Sequence, residues 1–235
     1  MLGTVVRAGR VLDLFTPEAP EWGATSVAGE LDIAKSQAHE LLMSLSEIGL
    51  LRRSERGRYR LGWRTLELGR DVVRSQFSED VLPLMRNLAR HFGEPVQLVG
   101  LDRDRVTVIA RQLGGSATDR LLPSGAVDGP KRRCAMSKCL LAHSTWECRD
   151  EELRLIKLRG VAHDRGEVSP ALRAVAVPIR DQRREAVAAL GMWTTVERWP
   201  AIGDDMTRAL RGTAMRIERS LKALAAGEAE LAAAA

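Results

Sequence analysis

One short stretch of this chain combines the side chains with which proteins recognise DNA. The polar side of a helical pattern consists of Lys35, Ser36, Gln37, His39, Glu40 and Ser44. In a DNA major groove a Gln side chain can pair with adenine, and a Glu carboxylate can accept from cytosine. The following segment is rich in arginine: Arg52, Arg53, Arg56, Arg58, Arg60 and Arg64, against Glu55. Because arginine neutralises phosphates and displaces their counterions, the two groups together predict a DNA-binding surface.

A helix and a hairpin must position these side chains. Residues at the three-four spacing of a buried helix face are Ala38, Leu41, Leu42, Leu45 and Ile48. Gly49 supplies the left-handed residue expected after a helix end. The next residues alternate about a Glu55-Arg56-Gly57 turn, so that Arg58 and Arg60 share one face, for which Arg53 is a further candidate. The pattern predicts a winged helix-turn-helix. The alternatives are a solvated helix face and a solvated hairpin, and His39 either meets phosphate or packs beside the preceding helix.

A second group of reactive side chains lies later in the chain: Cys134, Cys139, His143, Cys148 and His163. Sulfur and imidazole are zinc ligands, but no Cys-x-x-Cys spacing occurs and Cys139 falls within an apolar helical run. This favours inert, partly buried thiols over a metal or redox role. A nucleophilic cysteine paired with His143 or His163 would need an activated thiolate and an oxyanion site, which the sequence does not indicate. We therefore expect neither an enzyme nor a cofactor.

The composition is that of a globular protein, and its basic charge suits a polyanionic partner without requiring one. The 235 residues are 45% hydrophobic and 29% charged, and the net charge of +5 gives a pI near 9.5. That length allows one large domain or two modest ones, and we expect two. No charged leader or membrane-length apolar run is evident, and the three cysteines fit a reducing compartment, so we expect a cytoplasmic protein without membrane association.

The elements before and after the DNA-binding stretch are also predicted from periodicity. A first helix covers Val5 to Phe15, with its apolar face formed by Val5, Val6, Val11, Leu12, Leu14 and Phe15. Thr25 or Ser26 is expected to cap a second helix that ends at Leu31. A linker helix covers Trp63 to Gln76, and its apolar residues Leu66, Val72 and Val73 need cover that a lone winged helix does not supply. We therefore expect at least a homodimer.

The remaining residues predict a larger domain of antiparallel strands and helices. Helices are expected at Ser78 to His91, Ala135 to Ser144, Asp150 to Leu158 and Gly203 to Ala226, followed by a fraying alanine-rich tail. The apolar face of the first of them is Val81, Leu82, Leu84, Met85, Leu88 and Ala89. Strands are expected at Pro95 to Leu101, Arg105 to Leu113, Arg120 to Pro123, Arg173 to Arg180 and Ala186 to Thr194. The fold class is α+β, with a sheet flanked by helices.

Several segments in order along the chain resemble the isocitrate lyase regulator (IclR) family of bacterial transcription factors. They are Arg7 to Phe15 (RAGRVLDLF), Lys35 to Leu45 (KSQAHELLMSL), Ile48-Gly49, Gly57 to Gly62 (GRYRLG), Ala135 to Ala142 (AMSKCLLA) and Leu172 to Ile179 (LRAVAVPI). The resemblance implies a winged helix-turn-helix at 1–62, a linker helix at 63–77 and a GAF-like effector-binding and oligomerisation domain at 78–235. It also implies a homodimer or a dimer of dimers that binds double-stranded DNA at a pseudo-palindromic operator, as a repressor or an activator.

The chain departs from the family pattern at three positions. Glu40 follows the recognition-helix His where the family usually has Arg, Ser137 precedes the motif Lys in place of Gly, and Arg132 stands where a His is usual. The DNA-binding residues expected from the pattern and the resemblance are Thr25, Ser26, Lys35, Ser36, Gln37, His39, Glu40, Arg53, Arg58 and Arg60. The effector-binding residues expected are Leu122, Arg132, Arg133, Cys134, Ala135, Ser137, Asp164, Ala174, Gly191 and Trp193.

Charge and aromatic surface in the second domain predict the class of effector. Arg132 and Arg133 lead into the Ala135 helix, whose free amides and dipole favour an anion, so a carboxylate is expected there. Trp193 is expected to form a pocket wall, although packing beneath the helices is the alternative. Asp164 is either a polar pocket residue or a loop turn. We expect a small aromatic or hydrophobic organic acid; alternatively the GAF-like domain serves only oligomerisation and DNA binding is independent of an effector.

Overall fold

A computed structural model of the chain describes residues 3–77, 80–102, 105–122, 134–143 and 150–233. The chain divides into two compact units, Met1–Val73 and Arg74–Ala235. Within the described ranges, no helix has the length and apolar character needed to cross a membrane.

The first unit is a three-helix domain with a two-stranded wing. Its elements are α1 (Gly3–Asp13), α2 (Ala24–Leu31), α3 (Lys35–Glu47), β1 (Leu51–Arg53) and β2 (Tyr59–Leu61), after which α4 (Trp63–Gln76) begins. The core is formed by Val11, Phe15, Val27, Leu31, Ala38, Leu41, Leu42, Leu45, Leu51 and Tyr59. The predicted buried face of α3 is therefore confirmed for its four residues within the helix. Gly49 has φ +78, as predicted for the residue after the helix end.

Three details of the first unit differ from the sequence prediction. Val5 and Val6 are 65% and 46% exposed, because Val6 precedes the buried Val11 by five residues and so lies roughly 140° around α1 from it. Ile48 is 49% exposed, because α3 ends at Glu47 and Ile48 is the non-helical cap. Thr25 and Ser26 lie inside α2 instead of capping it, since the extended Gly23 precedes the helix and accepts from the Val27 amide.

The second unit is a five-stranded sheet flanked by helices. In chain order it contains α5 (Val81–Phe92), β3 (Val96–Asp102), β4 (Arg105–Gln112), α6 (Thr118–Leu121), α7 (Ala135–His143), α8 (Glu151–Arg159), β5 (Ala162–Asp164), β6 (Leu172–Arg180), β7 (Ala186–Thr195) and α9 (Trp199–Ala233). The strand order is β4-β3-β7-β6-β5, and every neighbouring pair is antiparallel. The predicted α+β fold is confirmed.

The two faces of this sheet carry side chains of different size. The face toward α5 and α9 bears larger aliphatic residues, among them Val175, Val177, Ile179, Leu190 and Met192. The opposite face, here called the α7 face, bears the small residues Ala162, Ala174, Ala176, Ala189 and Gly191 beside larger ones that include Val99, Leu172 and Trp193. These small side chains let α7 pack close to the sheet, and Met136, Cys139 and Leu140 of α7 are buried in the same cluster.

The structure corrects four expectations for the second unit. The segment predicted as a strand at Arg120 to Pro123 instead ends a short helix: Arg120 and Leu121 are helical and Leu122 caps α6. The helix forms because the Asp119 carboxylate accepts from the Gly114 and Gly115 amides (3.2 and 2.6 Å). The three-residue strand β5 is too short to show alternation and was not predicted. Leu82 is 40% exposed although it was assigned to the buried face of α5. α9 starts four residues earlier than predicted and extends to Ala233, as its alanine content favours.

Candidate DNA-binding and ligand-binding sites

The polar residues of α3 form an exposed surface opposite its buried face. Ala38, Leu41 and Leu45 pack into the core, and this fixes which side of the helix faces outward. The exposed residues are Lys35, Ser36, Gln37, His39, Glu40 and Ser44, together with Thr25 and Ser26 in the first turn of α2. His39 is among the exposed residues, and its contact with phosphate stays a prediction. The residues predicted to contact DNA from these helices are all on the surface.

The strand register decides which arginines of the wing share a face. Arg52 lies opposite Arg60, and Arg53 lies opposite Tyr59. Residues that oppose one another across antiparallel strands lie on the same face of the sheet. The assignment of Arg53 to the face of Arg60 is therefore wrong, and Arg52 occupies that face instead. Tyr59 is buried in the core, whereas Arg52 and Arg60 are exposed.

An acidic residue that the sequence reading overlooked lies beside the wing. Glu21 pairs through its carboxylate with the Arg60 Nε, and its carbonyl accepts from Arg58 Nη2 at 2.8 Å. The neighbouring Trp22 forms two backbone hydrogen bonds with Tyr59, which hold this segment along β2. Arg52 lies 5.3 Å from the Trp63 ring centroid in a cation–π contact. An open cleft of about 510 Å³ lies here, and its lining residues are Glu21, Arg52, Arg53, Ser54, Glu55, Arg56 and Arg60.

Most of the predicted effector residues lie together between the sheet and α7. Asp164, Ala174 and Trp193 are neighbours across β5, β6 and β7, and Gly191 lies two residues from Trp193 on the same face. Leu122, Cys134 and Ala135 pack in the same apolar cluster as Trp193. Ser137 on α7 is also buried, and its Oγ donates to the Cys134 carbonyl at 2.9 Å. Arg132 and Arg133, to which the sequence assigned the effector's carboxylate, lie outside the described residues.

Trp193 is held in place by a residue that the sequence did not single out. Its ring is 2% exposed, and its Nε1 donates to Gln97 Oε1 at 3.0 Å. Gln97 itself opposes Gly191 in the β3–β7 pairing. Beside the ring, Met136 packs so closely on Gly191 that a Cβ built there would lie 2.4 Å from its sulfur. No sequence signal could have found Gln97, because its position depends on a strand register between residues far apart in the chain.

The cysteines and histidines do not form one cluster. Burial raises the pKa of Cys139 to about 12, against a smaller lowering by Arg180, so this residue is a thiol at neutral pH. His143 has Nδ1 2.8 Å from the Cys139 carbonyl and Nε2 3.0 Å from Arg180 Nη2, which fits a neutral ring that donates from Nδ1 and accepts at Nε2. Burial lowers the pKa of His143 in agreement. His163 instead packs edge-on against Trp199. Cys148 lies outside the described residues, and in the ranges that are described no three His, Cys, Asp or Glu side chains are placed to hold a metal ion.

A buried charged cluster joins α7 to the neighbouring elements. Lys138 is 2% exposed, and its Nζ donates to Glu152 Oε1 at 2.8 Å, to the His163 carbonyl at 3.1 Å and to Glu167. Burial lowers the pKa of Lys138, but the two carboxylates outweigh that effect and the net pKa is raised. Burial also disfavours the charged form of Glu167 and by itself would raise its pKa, but hydrogen bonds from Lys138 and other donors lower that pKa to about 2.

Asp164 lies at the edge of this charged cluster. Its Oδ1 accepts from the Gly166 and Glu167 amides, at 2.8 and 3.0 Å. Its Oδ2 is buried and has no hydrogen-bond partner among the described residues. Burial, reinforced by the neighbouring Glu167, raises the pKa of Asp164 to about 6. The bonds of Oδ1 make Asp164 a turn residue, as one of the two sequence interpretations predicts, and its role toward a ligand stays a prediction.

An exposed polar recognition helix with an arginine-bearing wing, followed by a sheet-and-helix unit, defines a DNA-binding transcriptional regulator. Residues 4–55 match the family model of the IclR helix-turn-helix domain, and residues 147–219 match that of the bacterial transcriptional regulator IclR C-terminal domain. The chain belongs to the IclR family of transcriptional regulators, and it is not an enzyme. This confirms the resemblance inferred from its motifs.

Individual relatives agree with this assignment. The glycerol operon regulatory protein of Streptomyces coelicolor is 28% identical over 92% of this chain and 95% of its own length. The HTH-type transcriptional regulator XynR of Escherichia coli is 28% identical over 84% of this chain and 88% of its own. Among solved structures, an IclR homolog from Microbacterium hydrocarbonoxydans complexed with 4-hydroxybenzoate superimposes with a TM-score of 0.78 at 23% identity, covering 93% of this chain and 98% of that one. At that identity the structural likeness shows the fold alone.

Proposed function

We propose that the chain binds a specific sequence of duplex DNA through α3 and the wing, and that a small organic acid bound by the second unit modulates this binding. The observation that carries the proposal is the exposed polar surface of α3 next to the arginine face of the wing. Gln37 and Glu40 have the chemistry to read base edges. Arg52, Arg58 and Arg60 have the chemistry to meet phosphate. In this arrangement the DNA-binding domain is formed by residues 1–62, the helix that links it to the second domain by residues 63–77, and the effector-binding and oligomerisation domain by residues 78–235.

The α7 face of the second unit supports the ligand-binding part of the proposal. Its strands contribute the small residues Ala174, Ala176 and Gly191, and the Trp193 ring would offer an aromatic wall. The buried Oδ2 of Asp164 lacks a partner there, and a ligand hydroxyl would satisfy it. A related fold holds 4-hydroxybenzoate, which is an aromatic hydroxy acid. We infer an effector of that class, a small aromatic or hydrophobic organic acid.

A second candidate function has one observation in its favour. Met136 packs tightly on Gly191, and Trp193 is almost fully buried, so these two side chains fill part of the space that the small residues leave. If they fill all of it, the second unit serves only oligomerisation and DNA binding needs no effector.

The apolar surface of α4 supports a dimer as the functional form. Trp63, Leu66, Leu68 and Val72 on this helix are 68%, 46%, 49% and 54% exposed. A second copy of the chain would cover this surface. Two wings and two recognition helices related by a two-fold axis would then bind a pseudo-palindrome with half-sites about one helical turn, or a multiple of it, apart.

DNA selection with the full chain tests the DNA-binding part. A random duplex library should yield a preferred sequence, and Gln37→Ala and Glu40→Ala should change which bases are selected. Met43→Ala, an exposed change on the same helix, is the matched control and should leave the preference unaltered. A library recovered without any preferred sequence, or a uniform loss of affinity in the α3 variants, would contradict base reading by this helix.

Thermal shift against a panel of aromatic and 2-oxo acids separates the two candidate functions. A ligand at ~100 times its dissociation constant stabilises the native state by about 2.7 kcal/mol. A rise in the melting temperature of the wild-type chain with one of these acids would support the effector proposal. If the wild type shows none and Trp193→Ser gains one, Trp193 plugs the site and the effector-independent function holds.

A further inference from the structure

Besides Asp164, two polar side chains in the second unit have buried atoms without a hydrogen-bond partner among the described residues. They are Arg111, through its Nε, and Thr118, through its Oγ1. Thr118 is fully buried. An unsatisfied buried donor is rare in folded proteins, and it commonly marks the place of a bound water, ion or ligand. Neither residue belongs to the expected effector set.

The strand register places Arg111 in the row of Gly191, two residues from Trp193, and a hydrogen bond joins Arg111 to α6, which contains Thr118. Arg111 opposes Gln97 in the β3–β4 pairing, and Gln97 opposes Gly191 in the β3–β7 pairing, so the three lie in one row on the α7 face. Gln97 in turn holds the Trp193 ring. Arg111 Nη2 donates to the Asp119 carbonyl at 3.1 Å, so its guanidinium reaches α6, where Thr118 precedes Asp119.

The α6 turn is fixed by its own hydrogen bonds, so its polar groups are pre-positioned. The Thr118 amide donates to Ser116 Oγ at 3.2 Å, and Ser116 Oγ donates to Glu94 Oε2 at 2.7 Å. Glu94 is fully buried, and its other oxygen accepts from Thr194 Oγ1 and pairs with Arg198, which balances its charge. The Asp119 carboxylate is occupied by the Gly114 and Gly115 amides. Neither acid therefore needs the Arg111 Nε.

The distribution of charge along the α7 face gives this end a preference for an anion. Asp164 lies on β5 at one edge of the sheet and Arg111 on β4 at the other, with β6, β7 and β3 between them. A carboxylate near Asp164 would meet a like charge or a shared proton, whereas near Arg111 it would meet a guanidinium. The guanidinium Nε–H and the threonine hydroxyl are donors of the kind that bind a carboxylate.

We propose that Arg111 and Thr118 bind the carboxylate of the effector, with Gln97 and Trp193 positioning its apolar body. This inference rests on the proposed function, and it moves the anion from the start of α7, where the sequence suggested it, to the α6 side of Trp193. The ligand class is a small carboxylic acid.

Paired ligands that differ only in charge test the proposal. Calorimetry with the full chain would compare 4-hydroxybenzoate with its neutral methyl ester. The wild type should bind the acid at least about tenfold more tightly, the difference typical of a charge-assisted hydrogen bond. Arg111→Gln and the isosteric Thr118→Val should each lose most of that preference, and Thr118→Val keeps the test valid should Arg111→Gln fail to fold. Arg120→Gln, an exposed change on α6, is the matched control and should keep it.

Each other outcome assigns the failure to one proposal. If the wild type prefers the acid and both variants at Arg111 and Thr118 keep the preference, the inference is overturned and the effector proposal stands. The inference is also overturned, and the effector proposal stands, if Arg132→Gln alone abolishes the preference for the acid over the ester, because the carboxylate then binds before α7. If the wild type binds neither 4-hydroxybenzoate nor benzoate nor phenylpyruvate, both the inference and the effector proposal fail.

Discussion

The wing register predicts which arginines contact the DNA backbone. Arg52 and Arg60 are opposite one another on the exposed face, whereas Arg53 opposes the buried Tyr59. We expect the double variant Arg52→Ala/Arg60→Ala to weaken binding to every DNA sequence and to lessen its dependence on salt. Arg53→Ala, which removes the same charge from the other face, should leave the salt dependence unchanged.

The size of the effect follows from the number of phosphates released. Each neutralised phosphate contributes ~0.9 to the slope of log affinity against log salt, so losing two contacts lowers the slope by ~1.8. Between 50 and 200 mM salt, a fourfold change, the wild type should lose roughly twelvefold more affinity than the double variant. Breaking the ion pair between Arg60 and Glu21 on binding DNA would lower the affinity gained from the Arg60 contact only slightly, since an exposed ion pair is worth ~0–1 kcal/mol.

Fluorescence anisotropy with a labelled duplex at several salt concentrations measures both slopes. Thermal melts of each variant would confirm that the fold is retained. An unchanged slope in the double variant, or an equal reduction in Arg53→Ala, would refute the assignment of phosphate contacts from the register.

Three further predictions concern stability and assembly. The pKa of Asp164 is raised from 3.8 to about 6 in the folded state, so between these pH values the folded protein binds more protons than the unfolded chain. The free energy of unfolding should therefore fall as pH rises through that window. Urea titrations at pH 4 and pH 6.5 should show this decline in the wild type and not in Asp164→Asn, and an equal decline in both proteins would contradict the prediction. Gly191→Ala places a Cβ 2.4 Å from the Met136 sulfur and should cost ~1–3 kcal/mol in unfolding free energy, with partial recovery in the Met136→Ala background; additive losses would exclude the clash as the cause. The chain should sediment as a dimer or larger at micromolar concentration and shift toward monomer in Leu66→Ser/Leu68→Ser, whereas a purely monomeric wild type would show that α4 is not an interface.

The parts of the fold that were predictable from sequence are those with local signals. The three-four spacing of Ala38, Leu41 and Leu45 determines the buried face of α3, and Gly49 marks its end by a backbone conformation that glycine favours. These signals depend on residues close in the chain. The exposed residues of α3 followed directly from them, because a helix with a known buried face has a known opposite face.

The features that could not be predicted depend on contacts between distant residues. Whether Arg52 or Arg53 accompanies Arg60 depends on the hairpin register, and the alternation alone fits either. The role of Glu21 depends on its segment pairing with β2. Arg111 and Gln97 reach the α7 face only through the β4-β3-β7 order, which no local pattern encodes. The helix at Thr118 forms through side-chain bonds to the preceding turn, which override the strand-like composition of the segment.

Regulation of DNA binding by the ligand is tested most directly by measuring both on one sample. A labelled duplex of the selected sequence would be titrated with the full chain, with and without a saturating acid whose binding has been established by calorimetry. Allosteric coupling of ~1–3 kcal/mol predicts that the acid changes the apparent Kd for DNA by about fivefold or more, in either direction. An acid that binds the second unit and leaves the Kd for DNA unchanged would contradict the proposed function.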